Sequence, residues 1–151
     1  MDRTEKEEWV ASLHRTFNET GVVIVAHYIG LTVAEMGDLR GRLRETGTQL
    51  KVTKNRLTVR ALEGTRYASL AGLFKGPTAV AFSKDPVAAA KVVVGYAKTN
   101  PKLVLLGGGL AGQTLNAECV SALATLPSLD ELRGRLIGLI HAPATRIAGV
   151  L

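Results

Sequence analysis

The run "VVIVAHY", Val22 to Tyr28, decides how this chain is built. It opens with four β-branched residues and is too short for a globular helix. Its apolar character is continuous and does not alternate, which marks a buried strand covered on both faces. The covering layers lie on either side of it in sequence. Upstream, Thr4 to Asn18 reads as an amphipathic helix, with Trp9, Leu13 and Phe17 at i, i+4 and i+8 and Gly21 to stop it. Downstream, Thr32 and Glu35 have capping-box spacing and open a second helix with Met36, Leu39 and Leu43 on its inward face. Gly47 is placed to end that helix.

The same alternation of strand and helix continues along the chain. In "TQLKVT" (48–53) Leu50 and Val52 point one way and Gln49, Lys51 and Thr53 the other. A helix follows over about 55–62, then a short helical turn in "TRYASLAGLF" (65–74). "GPTAVAFS" (76–83) is a strand with Pro77 at its start, where a missing N–H is tolerated. Asp85 and Pro86 open a helix as N-cap and N1, running to about Lys98. "KLVLLGG" (102–108) is a fourth strand, and residues 116–125 form a short helix. Pro127 marks a boundary. Ser128 and Glu131 repeat the capping box and launch a last amphipathic helix. The expected fold class is α/β: a layered domain over residues 1–127 with a roughly four-stranded sheet flanked by helices, and a C-terminal helix over 128–151. No internal repeat or low-complexity segment interrupts it.

At 151 residues and 46% hydrophobic content the chain has enough apolar material for one core. Its formal charge of +6 is concentrated in one place. Between residues 38 and 60 stand Arg40, Arg42, Arg44, Lys51, Lys54, Arg56 and Arg60, opposed by Asp38 and Glu45. A cation excess confined to one segment points to a polyanionic partner, nucleic acid before membrane, over the usual solvated face of a charge run. Cys119 is the single cysteine, the N-terminus is acidic and polar, and no apolar run approaches the roughly 18–20 residues of a spanning helix. A soluble, intracellular protein is expected, with no membrane and no small-molecule substrate among its partners.

Enzymatic readings fare poorly. Gly107, Gly109 and Gly112 spell a literal GxGxxG after a strand, the pattern that brings a nucleotide's pyrophosphate to a helix N-terminus. Its context fails: the next helix starts only near Asn116, no strand follows to complete a βαβ unit, and Asp130 and Glu131 lie in a capped helix. A glycine-rich loop or bulge is the better reading, with a nucleotide-binding enzyme using the 107–112 loop as the alternative. His14, His27 and His141 are scattered without metal-ligand spacing, and no nucleophile motif is present. No catalytic residue, metal or cofactor is expected.

The cations themselves form a pattern. Arg40 and Arg44 lie one helical turn apart, the next strand presents Lys51, and Lys54, Asn55 and Arg56 stand at the start of the helix after it. A helix N-terminus favours phosphate, and lysine and arginine there add a point charge and a planar fork. Asn55 would cap the helix, or read a phosphate or base edge. With few aromatics nearby, the segment suits the shape and backbone of double-helical RNA better than stacked single strands.

Four stretches carry a resemblance: "LTVAEMGDLRGRLRETG" (31–47), "KVTKNRL" (51–57), "LFKGPTAVAFSKDPVAAAKVV" (73–93) and "LATLPSLDELRGRLIGLI" (123–140). Together they resemble the bacterial ribosomal stalk-base family, the tenth protein of the large subunit, related to the P-zero proteins. The resemblance covers the whole chain in order and is closest to alphaproteobacterial members. It implies a non-enzymatic scaffold whose α/β domain binds large-subunit ribosomal RNA at the GTPase-associated region, beside the eleventh large-subunit protein. It also implies a C-terminal helix that holds dimers of the acidic stalk protein, and repression of the chain's own messenger RNA as in some members. RNA contact is carried over to Lys51, Lys54, Asn55 and Arg56; Arg40, Arg44 and Lys75 join them on charge and proximity alone.

In the last helix the apolar positions run Leu129, Leu132, Leu136, Leu139/Ile140, Ile147 and Val150/Leu151. Pro143 removes the hydrogen bond to Leu139 and is expected to kink or break the helix. The part before it is expected to pack on its own domain. "APATRIAGVL" (142–151) matches the family's first stalk-dimer docking segment, with Ala144, Ile147, Val150 and Leu151 as the docking residues.

Overall fold

In a computed structural model that describes residues 2–151, β1 (Val22–His27) is the centre of the molecule. Its first five residues are all buried, and successive side chains enter opposite cores. Val22, Ile24 and Ala26 face one core; Val23 and Val25 face the other. The first core is covered by α2 (Val33–Glu45), α4 (Pro86–Thr99) and α5 (Ala117–Thr125), which contribute Leu39, Leu43, Val93 and Val120. The second lies under α1 (Arg3–Glu19), α3 (Asn55–Leu62) and a 3-10 turn (Ala68–Leu73), with Leu13, Phe17, Leu62 and Leu70. Each fully buried aliphatic side chain contributes about 1.5–3 kcal/mol.

The sheet has the order β2-β3-β1-β4-β5 and is antiparallel throughout, with β2 at Gln49–Val52, β3 at Thr78–Ser83, β4 at Val104–Leu110 and β5 at Gln113–Asn116. That is five strands where four were expected. The extra one, β5, pairs with β4 through a two-residue turn in which Ala111 (φ 49°) and Gly112 (φ 92°) are both left-handed. A strand therefore does follow the glycines, in antiparallel pairing and not as the far strand of a βαβ unit.

The glycines are packing devices. Gly107 to Gly109 lie within β4, and the register shifts opposite Val25 and Ala26, as at a bulge. A Cβ at Gly108 would stand 2.6 Å from the Val23 carbonyl oxygen, and one at Gly109 would stand 2.7 Å from the Tyr67 ring and 2.9 Å from Leu70. The Tyr67 hydroxyl in turn donates to the carbonyls of Thr20 and Gly21, 3.0 Å from each. Burial pushes its pKa up from 10.0.

The helix ends follow the sequence. Thr32–Glu35 and Ser128–Glu131 are both reciprocal capping boxes, and the Asp85 carboxylate accepts from the Val87 and Ala88 amides. Gly47 takes φ 69° just beyond the end of α2. The Glu35 carboxylate accepts the Thr32 amide at 2.7 Å and lies 3.2 Å from the Lys102 ammonium. These contacts, the Thr32 hydrogen bond first, hold its pKa below the usual 4.5. The Tyr96 hydroxyl donates to the Glu35 carbonyl and Arg42 lies over the Tyr96 ring, tying α2 to α4.

Two expectations change. Leu50 packs on the α2–α4 core, but Val52 is 41% exposed, because β2 is an edge strand and its last residue lacks cover. α6 (Leu129–Val150) is one helix running through Pro143, so the proline does not end it. None of its residues is buried, and Leu136, Leu139 and Ile140 are as open as the part beyond the proline. Self-packing before Pro143 is therefore confined to Leu129 and Leu132, which are partly buried, and residues 133–141 are exposed.

Candidate nucleic-acid interface

Five of the six α-helices begin on a side chain that is acidic or neutral: Asp2, Thr32, Asp85, Asn116 and Ser128. α3 differs. Its N-cap is Lys54 and its first turn carries no acidic residue; like α5 it has no side-chain cap hydrogen bond, but α5 has Glu118 in its first turn. The positive end of its dipole thus coincides with Lys54 and Arg56.

Asn55 is the first residue of α3 and does not cap it. Its side-chain amide donates to the Gly76 carbonyl at 2.7 Å, and its Oδ1 accepts the buried Thr78 hydroxyl at 2.5 Å. The His27 imidazole Nδ1 lies 3.1 Å from the Pro77 carbonyl in the same loop. Asn55 therefore fastens the start of α3 to the loop before β3, and this latch brings Phe74 and Gly76 to the groove, while Lys75 between them is not among the groove's lining residues. Sequence reasoning gave Asn55 a cap or a phosphate or base-edge contact, because the residue type favours either; the loop 21 positions away was not visible.

An open groove runs along this corner, lined among others by Thr53, Lys54, Asn55, Arg56, Phe74 and Gly76. Lys6 of α1 and Arg60 of α3 complete its rim. Thr53 is only 8% exposed and its hydroxyl has no partner, the one buried side-chain polar atom in that state among the described residues. A separate, smaller hollow gathers Arg40, Arg44 and Lys51 with Gln49 and Leu50. The predicted cations thus form two adjacent groups divided by β2. Lys6 was missed because α1 reads as acidic, and only the α1–α3 packing brings it there. Arg60, four residues after Arg56, was detectable from helical spacing.

The stripe on α6 is a different kind of surface. Ile147, Val150 and Leu151 are 64%, 89% and 101% exposed, and Ala144 is exposed beside them. Among the described residues no cluster of side chains suits a metal ion, and no helix is long and apolar enough to cross a membrane.

The sequence that builds this corner and the terminal helix matches a known family. Residues 1–98 match the family model for ribosomal protein L10. The chain belongs to the ribosomal protein L10 family. It is 64% identical to the large ribosomal subunit protein uL10 of Paramagnetospirillum magneticum over 148 residues, 98% of this chain and 86% of that protein. Identity to the uL10 of Rhizobium meliloti is 56% over 151 residues, covering 100% of this chain and 88% of that one. Against the uL10 of Gluconacetobacter diazotrophicus it is 60% over 151 residues, covering 100% and 83%. Membership makes the chain a structural, ribosome-associated protein of the cytoplasm and not an enzyme. The glycine pattern at 107–112 accordingly has a structural reason.

Proposed function

We propose that this protein binds large-subunit ribosomal RNA at the GTPase-associated region through the corner at the start of α3, and that α6 anchors dimers of the acidic stalk protein. The observation that carries the RNA reading is the uncapped, cationic N-terminus of α3. An anion there meets the helix dipole, Lys54 and Arg56 together, whereas the other helix starts already hold an acidic or neutral polar side chain. Arg40, Arg44 and Lys51 offer a second set of phosphate contacts across β2. Asn55 acts by fixing the corner's geometry; both polar ends of its side chain are already engaged. The family resemblance supports this choice of RNA and the eleventh large-subunit protein as a neighbour; repression of the chain's own messenger RNA would use the same surface.

The test is binding to an RNA fragment of the GTPase-associated region across a salt series. Replacing Lys51, Lys54 and Arg56 by alanine together should reduce the log–log salt slope by roughly 2–3, one increment per lost phosphate contact. An unchanged slope would leave the corner as a solvated face.

The stalk reading rests on α6, whose apolar stripe is exposed from Leu136 onward. Ile147→Glu combined with Val150→Glu should abolish capture of purified stalk dimers in calorimetry. Retained capture would move docking away from Ala144 to Leu151.

A further inference from the structure

The groove at the corner does not stop at α3. Lys6, Leu57 and Arg60 line it and also line a second groove, between α1 and α3, so the two form one continuous depression. The floor of the second part is apolar, from Val10, Ala11 and Leu57, and its rim carries Lys6, Arg15 and Arg60. Arg3 and Glu7 also stand there but form an exposed ion pair at 3.2 Å, which leaves that end locally neutral. Lys6, Arg15 and Arg60 are all exposed.

We propose that the α1–α3 groove is a second RNA contact, receiving the ribose–phosphate edge of the same double-helical RNA that the corner binds. The inference rests on the RNA-binding reading of the corner and extends it onto an element with no predicted site residue. Lys6 to Arg15 spans nine residues of helix, about 14 Å, so the cations along α1 meet successive phosphates and not a single one. The apolar floor fits the C–H faces of riboses, which double-helical RNA displays in its wide, shallow minor groove. No phenylalanine, tyrosine or tryptophan lines this part, and its one ring, His14, is hydrogen-bonded to Asn18, so a row of stacked single-stranded bases finds no extended platform.

The chain's single tryptophan makes the test direct. Trp9 lies on α1 and lines a small hollow with Val52, Lys54 and Leu57, next to the corner. RNA would be titrated into full-length protein with Trp9 emission and salt dependence as readouts, using the GTPase-associated RNA fragment as probe. Lys6→Ala with Arg15→Ala should lower the salt slope by roughly 1.5, as two phosphate contacts would. Lys6→Glu with Arg15→Glu should weaken binding further, and Arg133→Ala with Arg135→Ala on α6 should change nothing. Circular dichroism confirms that each variant folds. Wild-type affinity and slope in both α1 variants, while the corner triple variant loses its share, would overturn the second contact and leave the corner reading standing. Absence of specific wild-type binding would overturn both.

Discussion

Single residues show how closely scaffold and surface are coupled here. Gly109 sits where a Cβ would press within 2.7 Å of the Tyr67 ring and 2.9 Å of Leu70, both essentially fully buried. Gly109→Ala should therefore cost about 1–3 kcal/mol through overpacking. The melting temperature should fall by several degrees and be indifferent to added nucleotide; a nucleotide-dependent rise in the wild type would contradict the packing account. Asn55 makes the complementary case. Asn55→Ala leaves the Thr78 hydroxyl, 1% exposed, without its acceptor and should destabilise by about 1–3 kcal/mol. Chemical denaturation measures that loss. RNA affinity should fall with little change in salt slope, because no charge is removed; a slope reduced by a full contact would mean that Asn55 touches phosphate after all.

At the scale of elements, the sequence was readable where side chains announce backbone states. The capping boxes at Thr32 and Ser128, the Asp85–Pro86 opening and Gly47 all describe local chemistry, and each stands where its residue types require. The β4–β5 hairpin escaped because its turn is Ala111–Gly112, and alanine is not a residue that signals φ > 0. This left-handed alanine is strained by about 1–2 kcal/mol. Ala111→Asn should recover about 0.5–1 kcal/mol and raise the melting temperature by about 1–4 °C. A fall instead would show that the alanine side chain makes a contact outweighing the strain. Glu35 gives the capping box of α2 a pH signature. Its folded pKa lies below the ordinary 4.5, so its contribution is present above the unfolded value and is lost as pH falls through the lower folded one. A carboxyl-shift titration should place the Glu35 midpoint below 4.5. Lys102→Met should move that midpoint upward, since it removes the 3.2 Å ion pair; an unmoved midpoint would assign the whole shift to Thr32.

The whole molecule divides between a domain with two cores on one sheet and a helix that adds nothing to either. Local pattern placed the boundary at Pro127 but could not reveal how little of the last helix is covered. The stripe on α6 has the spacing of a core-facing helix, and only the tertiary structure shows that it is uncovered from Leu136 onward. The converse holds for α1, whose acidic sequence conceals Lys6 until packing against α3 sets it on the rim of the groove. Both cases turn on which elements meet, which depends on contacts distant in sequence. The division makes a sharp prediction. Ending the chain after Leu132 keeps the two partly buried leucines at the start of α6 and removes the exposed stretch. The melting temperature of that variant should lie within about 2 °C of the full chain, because little apolar burial is lost. Its RNA salt slope should also match, since the cations of the corner and of α1 remain. Capture of stalk dimers should vanish. A large drop in melting temperature would mean that α6 folds back onto the domain in solution. Retained capture would place the stalk contact on the α/β domain, and the exposed stripe would need another explanation.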